Sequence, residues 1–368
     1  MTYESFCKNK DYAMKYVVPA FRKYSVVRLK CTPNGELIYN HHGQPEKELN
    51  LFQKYGNNIA YCGTKKNFKV CRDCGDVYFD GFESCKNRFC PVCQKAKSLV
   101  LFSKLYPSVM KLLSKGYYLK MLTFTIKDTS KLSDGVRLIK TAFRIFSHEN
   151  KKYRSIFDSL YIGGIKSLEV KRGANSKQWH PHYHALVITE KPVEDFNAIN
   201  IMWNKTLVKL VNKQNNPIYE DRFYSDKFTL TNDKKLIFQD KLGFVHFDAL
   251  NMMSFDQRIK SIYECIKYIT KYSEELEYDL PELVETLKGI RTVDSWGLLR
   301  DIEQEAEDLN TLTLSKLKER VCVNCGSRAF EVIDSVMTED LPKLGYSTQI
   351  HDFNTHQNKL EQRYEAKC

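Results

Sequence analysis

The stretch WHPHYHALVI (179–188) is the most informative part of the sequence. It ends in a run of apolar residues and predicts a β-strand over 180–188. Alternate side chains of a strand share one face, so the three histidines should point the same way, about 6.5–7 Å apart at the backbone. Imidazoles at this spacing can converge on one metal ion. The strand therefore predicts a metal site at His180, His182 and His184, although unliganded surface histidines are the alternative.

The surrounding sequence predicts an α+β fold. Strand and helix patterns alternate around the histidine stretch, with strands over 117–126, 161–170 and 243–247 and helices over 134–150, 193–213 and 255–275. The order β-α-β-β-α-β, followed by a further helix, is typical of a ferredoxin-like or RRM-like antiparallel sheet with helices on one face.

Glu169 is the candidate third ligand of this site. It lies on the strand before the histidines, on the face of Ser167, and shares the histidine face if the two strands pair as a hairpin. The alternative is a solvated strand residue. Imidazole and carboxylate together suit Mn²⁺ or Mg²⁺, while imidazole alone would also accept Zn²⁺.

The helix SIYECIKYITKYSEE (261–275) carries a second group of candidates. Ile262, Ile266 and Ile269 form a stripe that should pack on the sheet. A neighbouring face carries polar residues three or four positions apart: Glu264, Tyr268, Lys271 and Tyr272. A carboxylate one turn from a tyrosine can act as a base beside it, but an ordinary amphipathic helix would show the same pattern.

Three motifs in this order resemble the HUH endonucleases, and most closely the rolling-circle replication initiators of small Gram-positive plasmids. They are MLTFTIKD (121–128), WHPHYHALVI (179–188) and YECIKYITK (263–271). The resemblance implies that His182 and His184 bind the catalytic metal. It also implies that Tyr268 is the nicking tyrosine, with Glu264 and Lys271 beside it.

The resemblance covers about residues 70–275. It implies that the protein nicks one strand at an origin, forms a 5′-phosphotyrosine and leaves a 3′-OH that primes a host polymerase. Related phage initiators have a second tyrosine where this chain has Glu264, which argues for one nucleophile, with Glu264 assisting termination. The sequence has no GxxxxGK[ST] loop, so a host helicase is an expected partner.

The cysteines predict zinc. Cys71-x2-Cys74 and Cys90-x2-Cys93 are two knuckles separated by 15 residues, with Cys85 as a possible substitute ligand. The segment around them, FESCKNRFCPVCQKAKS (82–98), resembles the cysteine segment of the same initiators. Its basic residues are predicted to contact DNA phosphates: Lys86, Arg88, Lys95 and Lys97.

Cys322-x2-Cys325 is a half-site for a second zinc, which His351 and His356 could complete. A redox pair or buried thiols are the alternatives. The remaining cysteines are scattered and predicted to be inert: Cys7, Cys31, Cys62, Cys265 and Cys368.

The composition fits a nucleic-acid-binding protein. The chain of 368 residues has a net charge of +12, which favours a polyanionic partner. No apolar run of 18 residues and no secretory signal are present, so we expect a cytoplasmic protein without a membrane span. The predicted parts are an N-terminal region (1–116) with a zinc module (71–93), an endonuclease domain (117–278) and a mostly helical C-terminal region (279–368).

Two other functions are compatible with parts of the sequence. A transposase with the same catalytic core would show the same three motifs. A non-catalytic zinc-ribbon protein could use the basic surface and an RRM-like sheet to bind RNA or single-stranded DNA. The second alternative does not explain why the histidine strand and the Glu264–Tyr268 helix occur together.

Overall fold

The computed structural model of the chain describes residues 1–34, 36–149, 162–192, 196–213, 218–220, 222–233, 235–249, 262, 266, 276–300 and 321–353. Within these ranges the α-helices are α1 (Tyr3–Tyr12), α2 (Val18–Lys23), α3 (Leu51–Tyr61), α4 (Pro91–Ser114), α5 (Leu132–Arg144), α6 (Phe196–Asn212) and α7 (Leu276–Leu287). The strands are β1 (Val27–Leu29), β2 (Lys47–Leu49), β3 (Lys66–Cys71), β4 (Val77–Phe82), β5 (Tyr118–Ile126), β6 (Gly163–Arg172), β7 (Trp179–Thr189), β8 (Phe228–Leu230), β9 (Leu236–Phe238), β10 (Gly243–Ala249), β11 (Val293–Gly297), β12 (Phe330–Val336) and β13 (Ile350–His351).

The chain forms two compact units. The first unit contains residues 1–99, 274–281 and 307–368, and the second contains residues 100–273 and 282–306. This division differs from the predicted boundaries at 116 and 278. The reason is that β12, near the C-terminus, pairs antiparallel with β3 and so belongs to the same sheet as the N-terminal region.

A five-stranded antiparallel sheet organises the second unit. Its strand order is β10-β5-β7-β6-β11, and every neighbouring pair is antiparallel. The predicted α+β class with an antiparallel sheet is confirmed. The fifth strand, β11, was not predicted, because it lies in a region whose sequence was interpreted as mostly helical.

Alternation along β5 separates the two faces of this sheet. Leu122, Phe124 and Ile126 are buried, whereas Thr123 and Thr125 are half-buried. The buried face packs on α5 and α6, which also pack on each other. The ring of Phe124 lies 5.1 Å from the ring of Trp203 on α6 and 5.1 Å from that of Phe143 on α5. This aromatic core leaves the opposite face of the sheet to polar side chains.

A four-stranded sheet organises the first unit, in the order β12-β3-β4-β13. β3 and β4 form an antiparallel hairpin, and β13 pairs parallel to β4. The described part of the C-terminal region, 321–353, therefore contains strands and two short 3-10 turns and lacks α-helix, which corrects the expectation of a mostly helical region there. Its strand β12 is largely exposed and has no buried alternation that would reveal it from sequence.

Within the described ranges, no helix is long and apolar enough to cross a membrane.

Candidate functional site

The pairing of β6 with β7 brings the predicted carboxylate and histidines together. Glu169 lies directly opposite His182 in the antiparallel register, and Thr125 of β5 lies on the other side of His182. His184 lies between Ser167 and Thr123 in the same way. Because side chains of directly opposed residues share a face, both histidines and Glu169 project from the face opposite the helices.

Three side chains form a close cluster, which we call the triad: Glu169, His182 and His184. The two Nε2 atoms of the histidines are 3.1 Å apart. Glu169 Oε2 is 2.9 Å from Nε2 of His184 and 3.4 Å from Nε2 of His182. Glu169 and His182 are buried, while His184 is partly exposed. One face of the cluster is therefore open to a ligand from solvent.

Hydrogen bonds outside the triad orient the imidazole rings. Nδ1 of His182 lies 3.1 Å from the carbonyl oxygen of His180, which can only accept, so Nδ1 carries the proton and Nε2 presents its lone pair to the triad. Nδ1 of His184 lies 3.1 Å from Oγ1 of Thr123. A second hydrogen bond that holds the ring in this way is typical of metal-binding histidines.

The protonation states also suit a cation. Burial lowers the pKa of His182, which keeps the ring neutral near pH 7. Burial raises the pKa of Glu169, but contacts with the imidazoles of His182 and His184 outweigh the effect of burial and hold the pKa of that carboxyl well below its usual range. Two imidazoles and one carboxylate are a donor set that Mn²⁺, Mg²⁺ or Zn²⁺ accepts, so the residues fit a divalent metal.

His180 has a different partner from the other two histidines. Its ring lies 5.2 Å from that of His182, but its Nδ1 is 2.6 Å from Oδ1 of Asp128. Ser176 also donates a hydrogen bond to Asp128. Asp128 was not among the predicted site residues. It is the last residue of the MLTFTIKD motif, and a carboxylate that follows a buried strand could have indicated a site residue.

The predicted nucleophile helix is mostly outside the described residues. Tyr268, Glu264 and Lys271 all lie there. Ile262 and Ile266 are described, both in helical conformation and both buried, with 0% and 3% of their surfaces exposed. Those two positions agree with the predicted i, i+4 apolar stripe.

Eight of the ten cysteines that the structure describes form two clusters of four, in a different combination from the predicted one. The terminal clasp consists of Cys71, Cys74, Cys322 and Cys325, and the inner cluster consists of Cys62, Cys85, Cys90 and Cys93. In each, the sulfur atoms lie within 4.8 Å of one another. The predicted grouping of Cys71 and Cys74 with Cys90 and Cys93 is therefore corrected, and Cys62, predicted to be inert, joins the inner cluster.

Pairing of distant strands explains this correction. Phe330 of β12 lies opposite Cys71 of β3, and this pairing places the Cys322 knuckle beside the Cys71 knuckle. Sequence spacing identifies each knuckle but not its partner. The signal that links them is the shared pattern CxxCG in CRDCG (71–75) and CVNCG (322–326), which Cys90 and Cys93 lack.

The four predicted phosphate contacts differ in exposure. Lys86 is exposed, and Arg88 and Lys97 are half-buried. Lys95 is only 6% exposed, because it lies on the buried side of the first turns of α4. The expectation of a surface phosphate contact is corrected for Lys95.

Most of the chain is similar to a known protein family. A family model described as a replication protein, Rep_1, matches residues 79–324, which is more than half of the chain. The chain belongs to this replication protein family. The matched range includes the triad and all three motifs. The resemblance to plasmid replication initiators drawn from those motifs is confirmed at the level of the family.

Two relatives of this replication protein carry the name Protein rep. One, from Streptococcus pneumoniae serotype 2 (strain D39 / NCTC 7466), is 26% identical over 150 residues, which cover 39% of this chain and 44% of the relative. The other, from Staphylococcus aureus, is 24% identical over 223 residues, which cover 52% of this chain and 95% of the relative. The chain thus spans less than half of the first relative and nearly all of the second. No solved structure matches the chain.

Proposed function

We propose that this replication protein initiates rolling-circle replication by nicking one strand of plasmid DNA at an origin. The observation that carries the proposal is the triad, an oriented set of two imidazoles and a carboxylate inside the region matched by a replication protein family. The non-catalytic DNA-binding alternative leaves this buried, preorganised ligand set unexplained. The family match favours replication over transposition.

The sheet supports an HUH endonuclease core. Its first four strands, β10-β5-β7-β6, have the strand order of a ferredoxin-like βαββαβ fold, with the crossover helices α5 and α6 packed on one face. In that arrangement the triad occupies the two adjacent strands β6 and β7, and the opposite face is left to the core. The polar face is then available to a DNA strand.

The triad would hold a divalent metal, Mn²⁺ or Mg²⁺. Bound there, such an ion would polarise a non-bridging phosphate oxygen and orient the scissile bond. The contribution of the chain is positional. The carbonyl of His180 and the hydroxyl of Thr123 hold the two imidazoles, and Glu169 supplies the negative charge that attracts a cation to the buried site.

Tyr268 is the proposed nucleophile, because the motif YECIKYITK (263–271) resembles the nucleophile helix of the HUH endonucleases. Its phenolic oxygen would form a bond to phosphorus while the bond from phosphorus to the 3′ oxygen breaks, leaving a 5′-phosphotyrosine and a 3′-OH. Lys271 would stabilise the phenolate or the phosphate charge. The 3′-OH would prime a host polymerase, with a host helicase opening the duplex, so the proposed setting is the cytoplasm.

The test uses single-stranded oligonucleotides labelled at the 3′ end and tiled across the DNA molecule that carries the gene. With Mn²⁺, the wild-type chain should give a protein band that carries the label, since the 5′ end of the downstream fragment is captured. Tyr268→Phe should give no such band, whereas Tyr272→Phe should still give one. If none of the oligonucleotides gives a covalent adduct, the non-catalytic DNA-binding alternative is favoured.

The same assay tests the role of Glu264. Because a base that assists only termination is not needed for the first attack, Glu264→Ala should still nick and should accumulate the covalent adduct. If Glu264→Ala fails to nick, the carboxylate instead activates Tyr268 or binds the metal.

A further inference from the structure

We propose that the chain binds two structural zinc ions, one in the terminal clasp and one in the inner cluster. The proposal is independent of the nicking activity, because neither cluster includes a residue of the triad. It also extends beyond the family match, which covers residues 79–324 and leaves three ligands of the terminal clasp outside it: Cys71, Cys74 and Cys325.

The geometry of the terminal clasp suits tetrahedral zinc. The sulfur atoms of Cys71 and Cys325 are 3.5 Å apart, as are those of Cys74 and Cys322. A disulfide would bring two sulfurs to about 2.05 Å. Zinc with Zn–S bonds of about 2.3 Å holds its sulfurs about 3.8 Å apart in a tetrahedron, close to the observed separations.

Both halves of the clasp have the same backbone turn. The N–H of Gly75 donates to the carbonyl of Cys71 at 2.9 Å, and the N–H of Gly326 donates to the carbonyl of Cys322 at 3.0 Å. The two glycines have φ of +79° and +73°, which residues with a Cβ rarely adopt. Two copies of one knuckle that face each other make a complete four-thiolate site, whereas each copy alone is half of one.

Polar contacts around the clasp stabilise this arrangement. The buried hydroxyl of Tyr78 lies 3.2 Å from the sulfur of Cys322 and accepts a hydrogen bond from the N–H of Val323 at 2.9 Å. Asn324 of one knuckle donates to Asp76, beside the other knuckle, at 2.7 Å. Such outer contacts orient metal-binding thiolates and are expected at a structural metal site.

The inner cluster has the same donor set in a more buried setting. The sulfur of Cys93 lies 3.4 Å from that of Cys62 and 3.5 Å from that of Cys85. The hydroxyl of Ser84 lies 3.2 Å from the sulfur of Cys93. Lys10 donates to the carbonyl of Cys62 at 2.7 Å, so an ammonium group lies beside a site whose four thiolates and zinc would carry a net charge of −2.

The two zinc ions would stabilise different parts of the chain. The ligands of the inner cluster all come from residues 62–93, so that zinc would stabilise a local module. The terminal clasp joins Cys74 to Cys322, which are 248 positions apart, with the second unit between them in the sequence. Because the entropy lost by closing a loop grows with its length, a cross-link of this span constrains the unfolded chain strongly.

The first experiment counts zinc in the full chain purified under reducing conditions, in a His184→Ala background that removes the triad as a third zinc ligand set. The parent should contain two zinc ions per chain. Cys74→Ser and Cys85→Ser should each lose one ion, and the double variant should lose both. Cys31→Ser, an exposed cysteine outside both clusters, is the matched control and should retain two. Fewer than two zinc ions in the parent would overturn the proposal. A double variant that loses only one ion would also overturn it, because both substitutions would then affect the same zinc.

The second experiment avoids any variant that fails to fold. The wild-type chain is treated with increasing chelator and an alkylating reagent, and the modified cysteines are mapped by mass spectrometry. The terminal clasp should react first and as a set of four, because Cys74 and Cys325 are exposed while three of the four inner cysteines are buried. Joint alkylation of Cys71 and Cys74 with Cys90 and Cys93 would show a single mixed site and overturn the two-site assignment.

Discussion

Cys71 and Cys325 lie 254 positions apart in the sequence, and their sulfur atoms are 3.5 Å apart. Cys71 ends β3, and the strand that follows Cys325, β12, pairs with β3. The sheet of the first unit is therefore built from both ends of the chain. Its stability should respond to changes at the clasp even where no zinc ligand is altered.

Tyr78→Phe tests this dependence. The ring of Tyr78 stacks on Phe353 with centroids 4.5 Å apart, and the substitution keeps that packing. It removes the hydroxyl that accepts from Val323 and contacts Cys322, so the N–H of Val323 loses its partner in the first unit. We expect the local free energy of unfolding to fall by about 0.5–1.5 kcal/mol. Faster hydrogen exchange in peptides from β3 and β4 would report the change.

Tyr61→Phe is the matched control, because Tyr61 is 74% exposed. Its exchange rates should equal those of the wild type. Equal rates in Tyr78→Phe would mean that the hydroxyl contributes nothing to the clasp.

Glu282→Ala should destabilise the second unit. One carboxylate oxygen of Glu282 accepts from the indole N–H of Trp179 at 2.6 Å, and the other accepts from the backbone N–H of Leu132 at the start of α5, also at 2.6 Å. Trp179 is almost fully buried, so the alanine variant leaves an indole N–H without its acceptor. The expected loss is about 1–3 kcal/mol in the free energy of unfolding.

Tryptophan fluorescence during urea denaturation measures this loss, because Trp179, Trp203 and Trp296 are the three tryptophans of the chain and all lie in the second unit. Glu285→Ala changes an exposed residue of the same helix and should leave the urea midpoint unchanged. If both variants unfold at the same midpoint, the two hydrogen bonds of Glu282 are not stabilising.

Local patterns account for what the sequence predicted well. Alternation along the second half of β5 is a two-residue period, which is retained in the fold because one face of the sheet is buried. The position of Glu169 opposite His182 follows from the hairpin of β6 and β7, a short-range pairing. Two of the strands that the sequence did not predict, β11 and β12, join their sheets through long-range pairing and lack a clear period of their own.

Cysteine spacing alone did not predict which cysteines share a site. A CxxC pair defines half of a zinc site, but the other half is chosen by strand pairing far away in the sequence. Cys62 follows the end of α3 and has no cysteine within four positions, so no local pattern connects it to the Cys90–Cys93 knuckle. Only the packing of α3 against this part of the first unit brings its sulfur to Cys93.

Lys86→Gln and Lys95→Gln should affect DNA binding differently. A lysine that neutralises one phosphate of single-stranded DNA contributes about 0.7 to the slope of log K against log salt concentration. Lys86 is exposed, so Lys86→Gln should weaken binding to single-stranded DNA and reduce that slope by about 0.7. Lys95 is buried, so Lys95→Gln should leave the slope unchanged. Fluorescence anisotropy at several salt concentrations gives both slopes, and a reduced slope for Lys95→Gln alone would reverse the assignment.

Glu169→Gln tests the triad without changing its shape. Glutamine fills the same space but lacks the charge that offsets a buried cation, and its amide nitrogen cannot bind a metal as the carboxylate does. We expect Mn²⁺ affinity to fall, and cleavage of the tiled oligonucleotides to slow by about two orders of magnitude or more at limiting Mn²⁺. A higher Mn²⁺ concentration should restore part of the rate, because both histidines remain. Calorimetric titration with Mn²⁺ measures the affinity directly and does not depend on activity.

Glu190→Gln makes the same change at an exposed position next to β7 and should behave as the wild type. If Glu169→Gln binds Mn²⁺ and cleaves DNA as the wild type does, Glu169 is not a ligand and the two histidines must act with a different third group.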